Sequence, residues 1–119
     1  MRKINWLSVL RWLLAAFFVF GGLGNIFASE TILADYQRWG YPGWFHYVTG
    51  LLELWVAALL IVRPRHFYGA VLGGVVMLAA AGTVILRGEY SHAIAPLVVF
   101  SLCLLLGFLT ARPAASSRR

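Results

Sequence analysis

Four long runs of mostly apolar residues constrain this chain more than any other feature of its sequence. They cover residues 6–27, 44–62, 67–86 and 93–111. About 20 apolar residues in a helix cross the hydrocarbon core of a bilayer. Strands with open edges cannot do so, because each unpaired backbone group costs several kcal/mol in lipid. The pattern therefore predicts four transmembrane helices.

The composition indicates a membrane protein of one domain. Of the 119 residues, 61% are hydrophobic and 12% are charged, and the mean hydropathy is +0.81. A soluble domain carries about 25% charged residues, and a disordered chain combines low hydrophobicity with high charge. We predict one four-helix transmembrane domain over residues 1–112 and a disordered basic tail over residues 113–119.

The breaks between the runs predict how the helices are arranged. Residues 63–65 and 87–89 form short loops, and helices joined by such loops are antiparallel neighbours. The expected fold is therefore an all-α, integral membrane, four-helix up-down bundle. The first loop is longer, and we expect Ser29 to cap a short helix over residues 30–39 that lies in the membrane interface.

Lysine and arginine are distributed unevenly over the predicted loops, and cytoplasmic loops carry an excess of both. Arg38 and Arg87 fall on one side of the membrane, whereas seven basic residues fall on the other. We therefore expect both termini in the cytoplasm, and we attribute the net charge of +6 to orientation rather than to nucleic-acid binding. The seven are Arg2, Lys3, Arg63, Arg65, Arg112, Arg118 and Arg119.

The first run also has features of a signal peptide, because Arg2 and Lys3 precede it and residues 26–28 form a loose cleavage pattern. The run is longer than the usual signal core of about 7–15 residues, and Arg11 interrupts it. We favour an uncleaved first helix, with cleavage of residues 1–28 as the alternative.

Arg11 and Glu53 are the ionisable residues inside the predicted spans, where an unpaired charge is costly. Their depths differ by about one helical turn, which a long arginine side chain can bridge. We therefore predict a buried ion pair between them. Two interpretations of the pair stay open: a structural link between helices, or a site for a ligand headgroup or a proton.

Small residues on the same helix faces as Arg11 and Glu53 predict which faces look inward, because they allow close helix approach. The candidate pocket lining is Phe18, Gly22, Asn25, Gly50, Met77 and Phe100. A second polar group is expected at the outer rim, formed by His46, Glu89 and His92. The spacing of these residues is not a metal-ligand motif, so we predict no metal site.

The sequence shows no catalytic motif. Its one cysteine, Cys103, excludes an intramolecular disulfide and a two-cysteine redox pair. The glycines of residues 21–24 lie in an apolar helix and favour packing over nucleotide binding. We assign no catalytic residue and predict no cofactor, and we expect a binding or accessory role rather than an autonomous enzyme.

Several short motifs, taken in order, resemble the DoxX-like family of small bacterial membrane proteins over residues 7–110. They are Arg11 with residues 22–25, Trp39-Gly40-Tyr41-Pro42, Gly50 with Glu53, Pro64 followed by Gly69-Ala70, Gly88-Glu89, and Ala95-Pro96. Two departures are Asn25, where many relatives are expected to carry lysine, and Thr83-Val84, where many are expected to carry Thr-His. The resemblance implies a multi-pass protein of the bacterial cytoplasmic (inner) membrane.

The resemblance also implies two kinds of function. Some relatives are small subunits of thiosulfate:quinone oxidoreductases, and more distantly similar bundles bind sterols. The first expectation is therefore a quinone- or lipid-binding bundle, or an accessory subunit of a membrane redox system. The alternative is a structural or assembly partner without a ligand, which contacts a membrane protein or a second copy of itself through small residues at Gly69, Ala70, Gly73 and Gly74.

Overall fold

The computed structural model describes residues 5–62 and 65–111, which form helices and no strand. The helices are α1 (Trp6–Ile26), α2 (Glu30–Arg38), α3 (Phe45–Ile61), α4 (His66–Leu86) and α5 (Ile94–Ala111), and a 3₁₀ turn, Tyr90–Ala93, leads into α5. These bounds lie within one residue of those expected from the sequence. The predicted tail over residues 113–119 and the Arg63-Pro64 part of the second loop lie outside the described residues.

Local capping interactions explain where the first two helices begin and where α2 and α4 end. The Asn5 side chain accepts a hydrogen bond from the backbone N–H of Ser8, and Ser29 does the same for Ile32. Such caps satisfy backbone donors that a helix start leaves unpaired. Gly40 and Gly88 follow α2 and α4 with φ of 88° and 75°, a left-handed conformation that favours glycine.

Glycines allow α1 and α3 to cross closely. A Cβ atom added to Gly50 of α3 would lie 2.8 Å from the backbone oxygen of Gly22 on α1. Nearer the start of α1, the Arg11 guanidinium reaches the backbone oxygen of Leu60, near the end of α3. The two helices are therefore antiparallel.

Helix α4 packs against α3 on one side and α5 on the other, again through small residues. A Cβ at Gly69 would meet the Leu60 backbone, and one at Gly73 would meet both Val56 of α3 and Cys103 of α5. Gly107 of α5 faces Ala70. Gly69, Ala70, Gly73 and Gly74, where a contact with a second chain is predicted, are buried by contacts within this chain.

Apolar side chains fill the interior and also cover the outside. Phe18, Val56, Leu60, Cys103 and Leu106 form the fully buried centre. Large apolar side chains such as those of Phe20, Trp55 and Leu86 point outward, and so many on one surface are typical of a bilayer environment. Within residues 5–62 and 65–111, three helical segments are long and apolar enough to cross a membrane, namely Trp6–Ile26, His66–Leu86 and Tyr90–Ala111. Helix α3 is apolar but shorter, with 17 residues.

Candidate functional site

A cavity of about 440 Å³ opens between α2 and the neighbouring ends of the long helices. Its walls are mainly apolar, and its polar groups gather where α1, α2 and α3 meet. Leu72, Val75, Val76 and Met77 of α4 form part of the apolar wall. Ligand sites in proteins commonly combine such walls with a few converging polar groups.

Glu53, Asn25 and Tyr36 form a hydrogen-bonded chain at the polar end of this cavity. Glu53 is 5% exposed, and its Oε1 accepts a bond of 2.7 Å from Asn25 Nδ2. The Tyr36 hydroxyl donates a 2.6 Å bond to Asn25 Oδ1. Burial raises the pKa of Tyr36, so the phenol stays protonated and able to donate. The chain links three helices through one amide.

His46 contacts two members of the same network, Asn25 and Tyr36. Its Nδ1 lies 2.7 Å from the backbone oxygen of Asn25, and because a carbonyl can only accept, Nδ1 carries the proton. The imidazole is buried and stacks on the Tyr36 ring, with 6.4 Å between ring centroids. The sequence predicts His46 at a polar outer rim; in the structure its ring is buried and packs on Tyr36.

Aromatic rings form the outer part of the cavity wall. Tyr36 lies 5.7 Å from Trp39 and 5.9 Å from Tyr41, and Tyr41 stacks on Phe45 at 4.4 Å, all measured between ring centroids. Thr83 of α4 donates to the backbone oxygen of Ala79, so the hydrogen bond between Thr83 and the Tyr41 hydroxyl has tyrosine as its donor. This bond links the α2–α3 loop to α4 in the cavity wall.

Charged groups fix α2 to the turn between α4 and α5. Arg38 makes two 2.8 Å bonds to the Glu89 carboxylate, and the Trp39 indole donates to the same carboxylate at 3.2 Å. Arg87 donates a 2.7 Å bond to the backbone oxygen of Trp39. The Arg38 guanidinium lowers the pKa of Glu89 to about 2, because it stabilises the ionised form. His92, whose Nδ1 lies 3.7 Å from Glu89, also lines the cavity.

The structure does not form the predicted ion pair between Arg11 and Glu53. Arg11 Nη1 donates a 2.9 Å bond to the backbone oxygen of Leu60, and its guanidinium lies 5.0 Å from the Trp12 ring centroid. Leu60 is two turns beyond Glu53 on α3, about 10 Å along the helix. The prediction compared the depths of Arg11 and Glu53 by counting residues from the ends of the apolar runs. Such a count does not include the shift of α1 relative to α3 along their axes.

The predicted pocket residues separate into four environments. Asn25 and Met77 line the cavity described above, together with Glu53. Gly22 and Gly50 lie at the α1–α3 crossing, and Phe18 is fully buried against Gly73. Phe100 lines a second, apolar groove of about 430 Å³ between α4 and α5.

Sequence reasoning missed Tyr36, Tyr41, Thr49 and Thr83, all of which line the cavity. Tyr36 shares a face of α2 with Ile32 and Trp39, and this amphipathic pattern was the signal available. Among the residues that the structure describes, no cluster of three or more His, Cys, Asp or Glu side chains is placed to hold a metal ion.

Comparison with known proteins identifies a family match over most of the chain. The DoxX-like family matches residues 9–106, a segment that runs from α1 into α5 and includes every residue of the polar network. No curated protein and no solved structure matches the chain. With most of its length matched, the chain belongs to the DoxX-like family.

Proposed function

We propose that this protein binds the polar head of a membrane amphiphile, a lipid or a quinone, in the cavity beneath α2. The observation that carries the proposal is a buried carboxylate, Glu53, at the polar end of an otherwise apolar cavity. Ionisable groups at membrane depth are costly, and they commonly mark binding sites or proton paths. The apolar wall on α4 would accept the ligand's hydrocarbon part.

The proposal includes a membrane arrangement. We propose that α1, α3, α4 and α5 cross the bacterial cytoplasmic membrane as an up-down bundle, with both termini in the cytoplasm. The antiparallel contacts of α1 with α3 and of α4 with its neighbours support this arrangement. A helix of 17 residues is at the short end of what spans a bilayer, so α3 would cross with little tilt. Helix α2 would then lie in the outer interface and cover the cavity.

A role in binding or as an accessory subunit fits the site better than autonomous catalysis. The polar chain of Glu53, Asn25 and Tyr36 contains no activated nucleophile. Cys103 is buried among apolar side chains and takes no part in these hydrogen bonds, and a thiol in such surroundings is unreactive. Any redox function would need a bound quinone or a partner protein to carry electrons.

Native mass spectrometry of the protein in mild detergent, followed by extraction of bound molecules, tests the proposal. We expect one amphiphile per chain in the wild type. Ala80→Phe, which places a ring in the cavity wall, should displace it, because residue 80 lines the cavity. Leu78→Phe is the matched control, since Leu78 is 53% exposed and does not line this cavity.

The outcomes separate the two functions considered. Ligand lost in Ala80→Phe but kept in Leu78→Phe supports binding in the cavity. A wild-type chain that is empty after gentle extraction contradicts the proposal. An empty chain that co-purifies with a second protein in a fixed ratio instead favours the structural or assembly role.

A further inference from the structure

The lining of the cavity beneath α2 has more unused hydrogen-bond acceptors than unused donors. The Tyr36 hydroxyl already donates to Asn25, and the Trp39 indole N–H donates to Glu89. The Tyr41 hydroxyl is used by Thr83, and the Thr49 hydroxyl lies 3.4 Å from the Phe45 oxygen of its own helix. Of the lining side chains, only His92 keeps a ring N–H that is not in a standard hydrogen bond within the described part of the chain.

Acceptors are left over in the same lining. Asn25 occupies Oε1 of Glu53, and no hydrogen bond of the described residues reaches Oε2. Asp35, which also lines the cavity, receives Arg38 on Oδ1 and leaves its second oxygen without a bond from the described residues. A ligand that offers only acceptors, such as a quinone carbonyl, would therefore meet acceptors and would leave the buried Oε2 of Glu53 unpaired.

The charge of the lining has one sign. Glu53 and Asp35 are acidic, and the lining contains no lysine or arginine among the described residues. The two arginines near the rim are engaged elsewhere, Arg38 with Glu89 and Arg87 with the backbone oxygen of Trp39. A carboxylate at membrane depth is costly unless it is paired, and this chain supplies Glu53 with an amide rather than a cation.

Aromatic rings complete the description of the site. Tyr36, Trp39, Tyr41 and Phe45 are contiguous and line one side of the cavity next to the two carboxylates. Ring faces attract cations, and clusters of aromatic rings recognise organic ammonium groups in other proteins. Rings, carboxylates and unused acceptors all favour the same kind of headgroup.

We infer that the ligand of this cavity is an amphiphile with a cationic, hydrogen-bond-donating head, that is, an organic ammonium group on an apolar body. This inference rests on the proposed binding function and narrows it, since it favours amines over quinones and anionic lipids. The ammonium group lies against Glu53 and the aromatic rings, and the apolar body extends along the α4 wall.

Three probes of similar length test the charge requirement: dodecylamine, dodecanoate and decylubiquinone. Each is titrated by calorimetry into the full chain in nanodiscs of neutral phosphatidylcholine, with the heat of protein-free nanodiscs subtracted. The neutral lipid removes the attraction of amines to an anionic surface. We expect dodecylamine to bind at least tenfold more tightly than either other probe.

Charge variants identify the group responsible. Glu53→Gln should weaken dodecylamine binding at least tenfold, and Asp35→Asn should weaken it severalfold because Asp35 already shares its charge with Arg38. Glu30→Gln is the matched control, since Glu30 is exposed on α2 outside the cavity and its loss should leave the affinity unchanged. If Glu53→Gln does not fold, two other results test the inference: weaker dodecylamine binding in Asp35→Asn, and the preference of the wild type for dodecylamine over the other two probes.

The failures of the two proposals are distinguishable. Tighter binding of decylubiquinone or dodecanoate than of dodecylamine overturns the cationic head but keeps a ligand-binding cavity. Equal loss of amine binding in Glu30→Gln and Glu53→Gln also overturns it, because the charge then acts from the surface. Failure of all three probes to bind overturns both this inference and the proposed function.

Discussion

Asn25 is the residue on which the polar end of the cavity depends, because a single amide serves three partners. Its Nδ2 donates to Glu53 and to the backbone oxygen of Gly21, and its Oδ1 accepts from Tyr36. A flipped amide would direct Oδ1 at the Gly21 carbonyl, so the network fixes its orientation. The amide positions the Glu53 carboxyl group and supplies no cation to it, which leaves one of its oxygens available to a ligand.

Replacing Asn25 by leucine should destabilise the protein more than replacing Tyr36 by phenylalanine. Asn25→Leu removes the bonds to both Glu53 and Tyr36, whereas Tyr36→Phe removes one. Side-chain bonds between membrane helices contribute about 0.6 kcal/mol on average. We expect losses of about 1–2 and about 0.6 kcal/mol in unfolding free energy, measured by denaturant titration in detergent. Equal losses would mean that Asn25 does not organise the network.

Arg11 and Glu53 should contribute independently to stability, although the sequence predicted an ion pair. Their hydrogen bonds go to Leu60 and to Asn25, and no ion pair between them occurs in the described part of the chain. Groups so far apart usually have additive effects, within about 0.5 kcal/mol. A double-mutant cycle of Arg11→Leu and Glu53→Leu should therefore give a coupling energy near zero. A coupling energy above about 1 kcal/mol would indicate that Arg11 and Glu53 do form an ion pair.

At the level of elements, α2 depends on charged contacts for its position over the cavity. The helix has nine residues and no buried side chain, so its own packing holds it weakly. Its contacts through Arg38 and Trp39 converge on Glu89, in the turn before α5. Opening of α2 is therefore the expected route by which a ligand enters from the outer side.

Acid should release α2, and Glu89 sets the direction of the effect. Its pKa is about 2 in the folded protein and 4.5 in a free chain, so the ionised form stabilises the folded state. This stabilisation is complete above about pH 4.5 and is lost as the pH falls toward 2. The protection factors of the α2 amides, which compare the exchange rates with the intrinsic rates at each pH, should fall over that range. In Glu89→Gln, the α2 amides should already exchange faster at neutral pH, and their protection should not fall further between about pH 4.5 and 2. If protection in this variant still falls over that range, the group that titrates is not Glu89.

The sequence predicted elements better than it predicted their contacts. Apolar runs, Ser29 and Gly40 located the helices, because these signals are local. The partners of Arg11 and Glu53 could not be predicted, since they depend on the offset between helices and on how α2 folds back. Tyr36 reaches Asn25 only because a short helix returns across the end of α1, a long-range arrangement that no local pattern encodes.

At the scale of the whole molecule, one side is expected to be acidic and aromatic and the other basic. Glu30, Asp35 and Glu89 lie near the α2 end, where the cavity opens, while the loop between α3 and α4 contains Arg65. This asymmetry gives the proposed orientation a physical basis, because basic segments are retained on the cytoplasmic side. In the proposed orientation, the acidic mouth of the cavity would face the outer interface.

Cysteine labelling in intact bacterial cells tests this orientation. Cys103 is the chain's one cysteine and is buried, so Cys103→Ala provides a silent background. In that background, Ser29→Cys should react with a membrane-impermeant maleimide, since residue 29 begins α2 on the proposed outer side. Arg65→Cys should react only after the cells are permeabilised, because the proposed orientation places its loop in the cytoplasm. The reverse labelling pattern would invert the bundle and place the cavity on the cytoplasmic side.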